Sequence, residues 1–490
     1  MNSSPETFSP EKGNYTSLLQ PQDDTPFFSL SFPQVWNGVK TIANATLATS
    51  LSLLYIYLVN LISLAYISNL KDAAMIGGIG LGFVCSNCCA YILVTSIDQG
   101  VNALAAQAFG AKKNDLVAVN YHRGLFSIAV ALIPVLVLLA YTKELLMFFG
   151  IDEAASQYAW DYIKYCYPSY FFYGFFDCTK SFLYAQKIFK PILYIQTVTT
   201  VLHFFWAWLF ISKLEMGCIG AGIAKNIYEF CNMTALFLYI YWSDSCNDTW
   251  IPFGKVQWRQ NVFKWEGFAV FLKVCIPMAA ILFLDMACYE VFTILAGQFG
   301  EDQLAVHVAI ANSATVYYSI PLGLSIAMMT FVGNSMGQGQ PNAAKNYTYF
   351  GLIVDILVSV VFVLILWLCR DPWATLFSPN ENVKNLLLKV LIIYVAFVLF
   401  DGIQVALSGT MKGIGKQNAA TVGLVISYYF IALPLIWYLS FKLDWKVEGI
   451  WSGFLVGIIS LLVIYFIVLG CTNFKQQAKE IRKLIQKEGE

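Results

Sequence analysis

The sequence predicts an all-α polytopic membrane protein whose twelve transmembrane helices form two pseudo-symmetric six-helix bundles. The first observation behind this prediction is composition: 58% of the 490 residues are hydrophobic and only 12% are charged, whereas soluble domains carry about 25% charged residues. The second is a series of twelve apolar runs, and the third is an internal repeat. Basic and acidic side chains number 30 each, so the positive surplus of a nucleic-acid-binding protein is missing.

Each apolar run is long enough to cross a bilayer, which takes about 20 helical residues. Helices satisfy their own backbone hydrogen bonds in lipid, and the runs lack the alternating ~10-residue segments of a β-barrel. The predicted spans are residues 41–68, 74–108, 122–141, 157–180, 190–211, 217–242, 264–298, 303–335, 346–369, 384–411, 418–440 and 447–471.

Matched features recur in the two halves of the chain, in the same order and at a nearly constant spacing. Gly110 corresponds to Gly337, Asp177 corresponds to Asp401, and a Lys-Leu-acid motif followed by glycine precedes the last helix of each half. Because six helices separate the repeats, both halves share one orientation. Parallel repeats of this kind surround a cavity near the bilayer midplane and rock about it to give alternating access.

The repeat predicts five regions. The N-terminal lobe covers residues 41–242 and the C-terminal lobe covers 264–471, with a polar cytoplasmic linker at 243–263. We expect a disordered cytoplasmic tail over residues 1–40, because this segment is polar and lacks an apolar core. Residues 472–490 predict a basic amphipathic cytoplasmic tail, for which a solvated helix and a lipid-touching helix both fit.

The distribution of lysine and arginine predicts the orientation. With Arg123, Lys180 and Lys412 counted as loop charges, the side that carries both termini holds a roughly two-to-one excess of basic residues over the opposite side. The positive-inside rule therefore places both termini in the cytoplasm. This orientation is compatible with a location in the plasma membrane and with one in a vacuolar or other internal membrane.

Four segments resemble the multidrug and toxic compound extrusion (MATE) family, in its eukaryotic type. They are the stretch from Pro321 to Pro341, the sequence around Gln107 and Gly110, the stretch 400–417, and Leu284–Glu290. The resemblance extends over roughly residues 40–470. It implies a two-lobed secondary antiporter that exports organic cations and other xenobiotics in exchange for H⁺ or Na⁺.

Carboxyl groups inside the predicted spans are the candidates for ion coupling, because a charge in the bilayer is costly and usually faces a cavity. A carboxyl group that binds either a proton or a cation gives exchange, since each ligand lowers the affinity for the other. By resemblance, Asp285 and Glu290 match the family's acidic pair and Asp401 matches its acid in the tenth helix. Five residues separate Asp285 from Glu290, about 140° around a helix, so they need not face one pocket.

Other positions depart from the family pattern. Many relatives carry an acid at the position of Asn102, and Asp98, one helical turn earlier, is the candidate to supply that charge. Asn312 stands where the family often has glutamate. Asp177 lies three residues before Lys180, so a local ion pair and a functional role both fit. Asp355 has no family match and is interpreted as structural.

Tyr289 and Gln404 complete the predicted binding site, because aromatic faces attract organic cations and amides bond to ligands. Both types of residue also serve in helix packing. The sequence shows no nucleophile–base pair, metal-ligand spacing or phosphate-binding loop, so we expect neither an enzyme nor a cofactor or metal site. The expected partners are a small organic cation or drug-like molecule and the lipid bilayer, without nucleic acid, and we expect a monomer. A carrier for a specialised metabolite or lipid-linked substrate, and a non-transporting membrane scaffold, remain alternatives.

Overall fold

The computed structural model describes residues 24–251, 261–378 and 380–489. These residues form helices and short turns without any β-strand. We number the helices α1 Phe32–Ser68, α2 Ala73–Gly110, α3 Asn114–Ala140, α4 Thr142–Phe148, α5 Glu153–Ala185, α6 Lys190–Lys213, α7 Gly217–Trp242, α8 Trp265–Gly297, α9 Glu301–Gln338, α10 Pro341–Leu368, α11 Arg370–Phe377, α12 Glu381–Gly413, α13 Gln417–Lys442, α14 Lys446–Cys471 and α15 Phe474–Glu488. Short 3₁₀ turns occupy Phe27–Ser29 and Asp244–Cys246.

Twelve of the helices in these ranges coincide with the predicted spans, and α4, α11 and α15 are shorter additions. Ten of the twelve are long and apolar enough to cross a membrane on composition alone. The other two, α5 and α7, carry buried ion pairs, Asp177–Lys180 and Lys225–Glu229. The charges lower the apolar character of these helices, while pairing and protein burial compensate the charges.

The first helix begins at Phe32, so the prediction of disorder as far as residue 40 was wrong in its last part. Ser31 and Gln34 form a reciprocal capping box and Pro33 lies in the first turn, both of which favour a helix start. Just before it, Asp24 accepts hydrogen bonds from the backbone of Asn342 at 2.7 Å and of Ala343 at 3.1 Å. Residues 1–23 of the predicted tail and 252–260 of the predicted linker lie outside the described residues.

Three basic residues that we counted as loop charges lie inside helices instead. Arg123 on α3, Lys180 on α5 and Lys412 on α12 are each at most 4% exposed. Arg123 donates to Asn120 at 3.2 Å and to the backbone carbonyls of Val262 and Asn261. Each cation has polar partners within the protein, which is the condition for burying a charge. The count of basic loop residues used to predict the orientation is therefore corrected by these three residues.

Both ends of the described chain meet at one end of the helix bundle, which we call the terminal face, and the opposite end is the distal face. Backbone contacts between the lobes include a close one at the terminal face, where α2 and α9 end. Gly110 on α2 lies against the backbone of Asn334 on α9, and Gly337 on α9 lies against the backbone of Gln107 on α2. A side chain at either glycine would force the helices apart. The repeat-related glycines therefore close the lobes at the terminal face.

Helix α15 lies across this closed end and is packed on protein. Phe474, Ala478, Ile481 and Ile485 are buried along one face. The Glu488 carboxylate pairs with Arg123 of the N-terminal lobe at 3.3 Å, and Gln477 on the same helix donates to the Ile414 carbonyl of the C-terminal lobe at 3.0 Å. Neither a solvated nor a lipid-bound tail describes this segment, because its apolar face covers the joint between the lobes.

Candidate functional site

A small cavity inside the C-terminal lobe brings together four of the seven residues that the sequence singled out. Its volume is about 20 Å³, which is room for roughly one water molecule. Asp285 and Tyr289 from α8 face Asp401 and Gln404 from α12 across it. The remaining lining residues are Ile281, Leu282, Tyr318, Leu322, Ser325, Val405, Ser408, Lys412 and Leu424.

Helical periodicity explains why these side chains converge. Asp401, Gln404, Ser408 and Lys412 follow one another at steps of three or four residues, so they share one face of α12. Two hydroxyl groups from α13 hold α8 beside that face. Thr421 donates to the Pro277 carbonyl at 3.1 Å and Tyr429 donates to the Leu284 carbonyl at 2.9 Å. The second bond fixes the backbone directly before Asp285.

A third carboxyl group approaches Asp401 from α10. Asp355 is 3% exposed, and its carboxylate and the Tyr317 hydroxyl occupy the space that a side chain at position 402 would need. Gly402 thus permits the close approach of α9, α10 and α12. Tyr317 is held in place by bonds to the Ser359 hydroxyl at 2.8 Å and the Val398 carbonyl at 2.9 Å. In the sequence, Asp355 is distinguished only as an acid within an apolar run, and its interpretation as structural did not anticipate its place beside Asp401.

Glu290 and Asn312 lie outside this cavity, and both side chains are exposed. Glu290 projects from a different side of α8 from Asp285, as the five-residue spacing implies. Its carboxylate interacts electrostatically with Cys88 of α2, and the Cys88 sulfur lies 4.0 Å from that of Met286. Glu290 therefore lies near the boundary between the lobes, nearer the distal face than Asp285.

Asp98 belongs to a separate charged network inside the N-terminal lobe. Its carboxyl lies against Asp177 and Ser181, and Asp177 forms an ion pair with Lys180. A second pair joins Lys225 and Glu229 of α7 at 3.2 Å, with both side chains 2% exposed.

Aromatic rings surround this second pair. The Lys225 ammonium lies 5.5 Å from the ring centroids of both Tyr91 and Tyr228, within range of a cation–π interaction. Our sequence interpretation missed Lys225 and Glu229. Their four-residue spacing inside an otherwise apolar run is the signal that would have found them.

The C-terminal cavity differs in its charge balance. Among the described residues, no ammonium or guanidinium group lies within ion-pair distance of Asp285, Asp355 or Asp401. The nearest cation, Lys412, donates instead to the Gln99 side chain of the opposite lobe at 2.8 Å. Two interior carboxyl groups, Asp285 and Asp401, thus border a space large enough for a water molecule or a small cation, and Asp355 lies behind Asp401. This arrangement is suited to binding a proton or metal cation.

Two six-helix lobes closed at one end, with a carboxyl-lined cavity in one lobe, define the class as polytopic membrane transporters built from parallel repeats. A match to a known family identifies the transporter class more closely. The MatE family model matches two stretches, residues 48–209 and 277–438, one in each predicted half. The chain belongs to the MatE family of multidrug and toxic compound extrusion transporters.

Relatives with known names support this assignment over most of the chain. Protein DETOXIFICATION 16 of Arabidopsis thaliana is 30% identical over 394 residues, which is 79% of each protein. Multidrug and toxin extrusion protein 1 of Xenopus tropicalis is 26% identical over 447 residues, covering 91% of this chain and 76% of the relative.

Solved structures establish the fold. The crystal structure of the eukaryotic MATE transporter AtDTX14 superimposes with a TM-score of 0.84 at 24% identity, covering 93% of this chain and 99% of that one. The Vibrio cholerae MATE transporter VcmN in its bent form gives a TM-score of 0.77 at 17% identity over 92% of this chain and 99% of its own. The predicted fold class and the predicted family are thus confirmed.

Proposed function

We propose that this protein is a secondary active antiporter that exports organic cations and other xenobiotics in exchange for protons, with Na⁺ as the alternative coupling ion. The observation that carries the proposal is the cavity in which Asp285 and Asp401 converge without an ion-pair partner. A carboxyl group in such a place is stabilised by binding a proton or a cation, and the two compete. The relatives named for detoxification and toxin extrusion support the choice of substrate class.

The size of the cavity determines whether the coupling ion or the organic substrate can occupy it in this conformation. About 20 Å³ admits a proton, a water molecule or a bare metal ion, but not an organic cation. In the conformation described here the cavity is therefore the site of the coupling ion. An organic cation competes for the same carboxylates when Tyr289, Tyr318 and their helices move to admit it.

The close contact between the lobes at the terminal face supports a transport state for this conformation. We infer from the positive-inside rule that the terminal face is cytoplasmic, in a plasma membrane or an internal membrane. Closure at that face then corresponds to an outward-facing state. The return to the inward-facing state requires the contacts of Gly110, Gly337 and α15 to separate.

A proton gradient supplies sufficient energy for this exchange. One charge crossing 100 mV provides about 2.3 kcal/mol, and one pH unit provides about 1.4 kcal/mol. Exchange of one proton for one monovalent cation is electroneutral and draws only on the pH difference. The predominance of carboxyl over ammonium groups in the cavity favours cations over the anionic headgroups of lipid-linked substrates.

The test is transport of a fluorescent organic monocation, rhodamine 6G, by purified protein in liposomes with an imposed pH gradient. We expect gradient-driven movement with the wild type and movement at the level of empty liposomes with Asp285→Asn. Asp302→Asn, which neutralises an exposed acid in the first turn of α9, is the matched control and retains wild-type transport. A wild type driven by a Na⁺ gradient instead would establish the alternative ion. A wild type that responds to neither gradient would overturn the proposal.

A further inference from the structure

One residue borders two separate cavities. The first is the carboxyl-lined cavity of about 20 Å³ in the C-terminal lobe. The second, which we call the interlobe cavity, has a volume of about 150 Å³ and lies between the lobes at the terminal face, under α15. Lys412 is the one residue common to the two sets of lining residues in the described part of the chain.

The interlobe cavity has several polar side chains within a largely apolar lining. Gln107 and Asn120 line it from the N-terminal lobe, Gln417 from the C-terminal lobe, and Gln477 and Glu488 from α15. A space of this volume and polarity accommodates several water molecules. Lys412 is the side chain that separates this partly polar space from the cavity of Asp285 and Asp401.

Lys412 is held firmly at this junction. Its side chain belongs to α12 of the C-terminal lobe and is 4% exposed, yet its ammonium donates to the Gln99 amide oxygen on α2 of the other lobe at 2.8 Å. The carboxyl groups of Asp285 on α8 and Asp98 on α2 interact with it electrostatically from two sides. These two acids and Gln99 favour the protonated form of the Lys412 side chain between the cavities in the closed state.

A fixed cation in a narrow passage repels protons and other cations, and pores that must exclude protons use such charges. An exchanger has the same requirement. A proton that reached Asp285 from the distal face and left through the interlobe cavity, with no substrate moving, would dissipate the gradient. The barrier has to act in the conformation that is closed at the terminal face, which is the conformation in which Lys412 bonds to Gln99.

We propose that the Lys412 ammonium is a charge barrier between the carboxyl-lined cavity and the interlobe cavity, which prevents uncoupled passage of the coupling cation. This inference rests on the proposed function, because it assigns the coupling ion to the Asp285 and Asp401 cavity. It adds a role for a residue that does not bind the transported substrate. When the lobes separate at the terminal face, the bond to Gln99 breaks and the barrier opens together with the pathway.

The test is the proton leak of liposomes that contain the protein and a trapped pH dye, with an imposed pH gradient and no organic cation. Lys412→Met keeps most of the side-chain volume and removes the charge. We expect its leak to exceed that of the wild type roughly tenfold or more, because a like charge a few ångströms away opposes the entry of a cation in a protein interior. Lys412→Arg retains the charge and should leak as little as the wild type.

Two further variants test whether the proton leak depends on the charge of Lys412 and on the path through Asp285. Lys416→Met removes a lysine four residues further on, in the connection between α12 and α13 and outside both cavities, and should leave the leak unchanged. The double variant Lys412→Met with Asp285→Asn should leak less than Lys412→Met alone, because the path loses the carboxyl group that passes the proton on. If Lys412→Met does not remain monodisperse in detergent, Lys412→Gln takes its place, since glutamine retains a donor for Gln99.

The outcomes separate this inference from the proposed function. Wild-type protein that exchanges protons for rhodamine 6G, together with a Lys412→Met variant as proton-tight as wild type, would overturn the charge barrier and leave the antiporter intact. Increased leak through Lys412→Met that persists in the double variant would also overturn it, since the path would then avoid Asp285. Wild-type protein that gives no ion-driven transport overturns the proposed function itself.

Discussion

The N-terminal lobe buries three carboxyl groups beside two lysines, whereas the C-terminal lobe holds three carboxyl groups beside one lysine that is bonded to the opposite lobe. In the first lobe both lysines form ion pairs with acids of their own helix, Lys180 with Asp177 and Lys225 with Glu229. In the second, Lys412 donates to Gln99 and leaves the acids unpaired.

This difference indicates that the two repeats of one fold serve different purposes. In the N-terminal lobe each buried lysine is paired with an acid of its own helix, and separating the partners would leave an uncompensated buried charge. Unpaired acids around a cavity in the C-terminal lobe are available to an ion. The comparison predicts that charge-neutralising variants in the C-terminal lobe abolish transport, while variants of the N-terminal ion pairs act on stability.

The largest expected effect follows from Asp401→Asn. Removing this carboxyl group leaves the cavity without the second of its two facing acids, so proton-driven transport of rhodamine 6G should fall to the level of empty liposomes. The melting temperature in detergent should stay at or above the wild-type value, because a neutral amide is less costly to bury than a carboxylate. A variant that transports normally would remove Asp401 from the site.

The next effect is on stability. Lys225→Met leaves Glu229 unpaired inside the N-terminal lobe, and breaking a buried pair costs about 3–5 kcal/mol. We expect a marked fall in melting temperature and in yield, measured in detergent. Lys225→Met combined with Glu229→Gln should recover most of the loss, and transport per folded molecule should be retained. Stability that is unchanged in the single variant would contradict a structural role for the pair.

A smaller effect is expected for Glu290→Gln. This exposed carboxylate lies near the lobe boundary and outside the cavity. We propose that it attracts the cationic substrate toward the cavity from the distal side. We expect KM for rhodamine 6G to rise about fivefold, which corresponds to about 1 kcal/mol, with the maximal rate unchanged. Initial-rate measurements over a concentration series separate the two parameters. A collapse of the maximal rate would instead place Glu290 among the coupling groups.

The smallest effect concerns Asp72, at the distal end of α2. Hydrogen bonds from the Met75 backbone at 3.1 Å and the Tyr158 hydroxyl at 2.9 Å lower the pKa of this carboxyl group below its ordinary value. A lowered folded-state pKa contributes stability above the unfolded value, and that contribution is lost as the pH falls through the folded value. Asp72→Asn should therefore melt slightly below wild type at neutral pH, and the difference should vanish in acid. A melting-temperature difference between the two proteins that grows in acid would contradict the lowered pKa of Asp72.

Much of the fold was predictable because periodicity and composition determine it. The twelve spans, the repeat and the family emerged from apolar runs and spaced motifs, and the start of α1 was missed only because the capping box of Ser31 and Gln34 was overlooked. In the site, Asp285, Tyr289, Asp401 and Gln404 were named from the resemblance and from their residue types. Helix geometry alone also indicated that Asp285 and Glu290 diverge.

The rest depended on contacts between distant segments. Asp355 reaches Asp401 only because Gly402 lets α10 approach, and no local pattern reveals that contact. Lys412 resembled a loop cation, since the sequence near it contains Gly413 and Gly415, but α12 continues to Gly413 and buries it. The docking of α15 on both lobes is likewise invisible in a basic amphipathic sequence, which fits a lipid surface equally well.

The most direct test of the central claim is the release of protons when an organic cation binds to purified protein in weakly buffered detergent. With a pH dye present, rhodamine 6G should release protons from the wild type and from Asp98→Asn, but not from Asp285→Asn combined with Asp401→Asn. That result would place the exchange of proton for cation in the C-terminal lobe. Release that disappears with Asp98→Asn and persists in the Asp285 and Asp401 double variant would contradict the account and assign coupling to the N-terminal lobe.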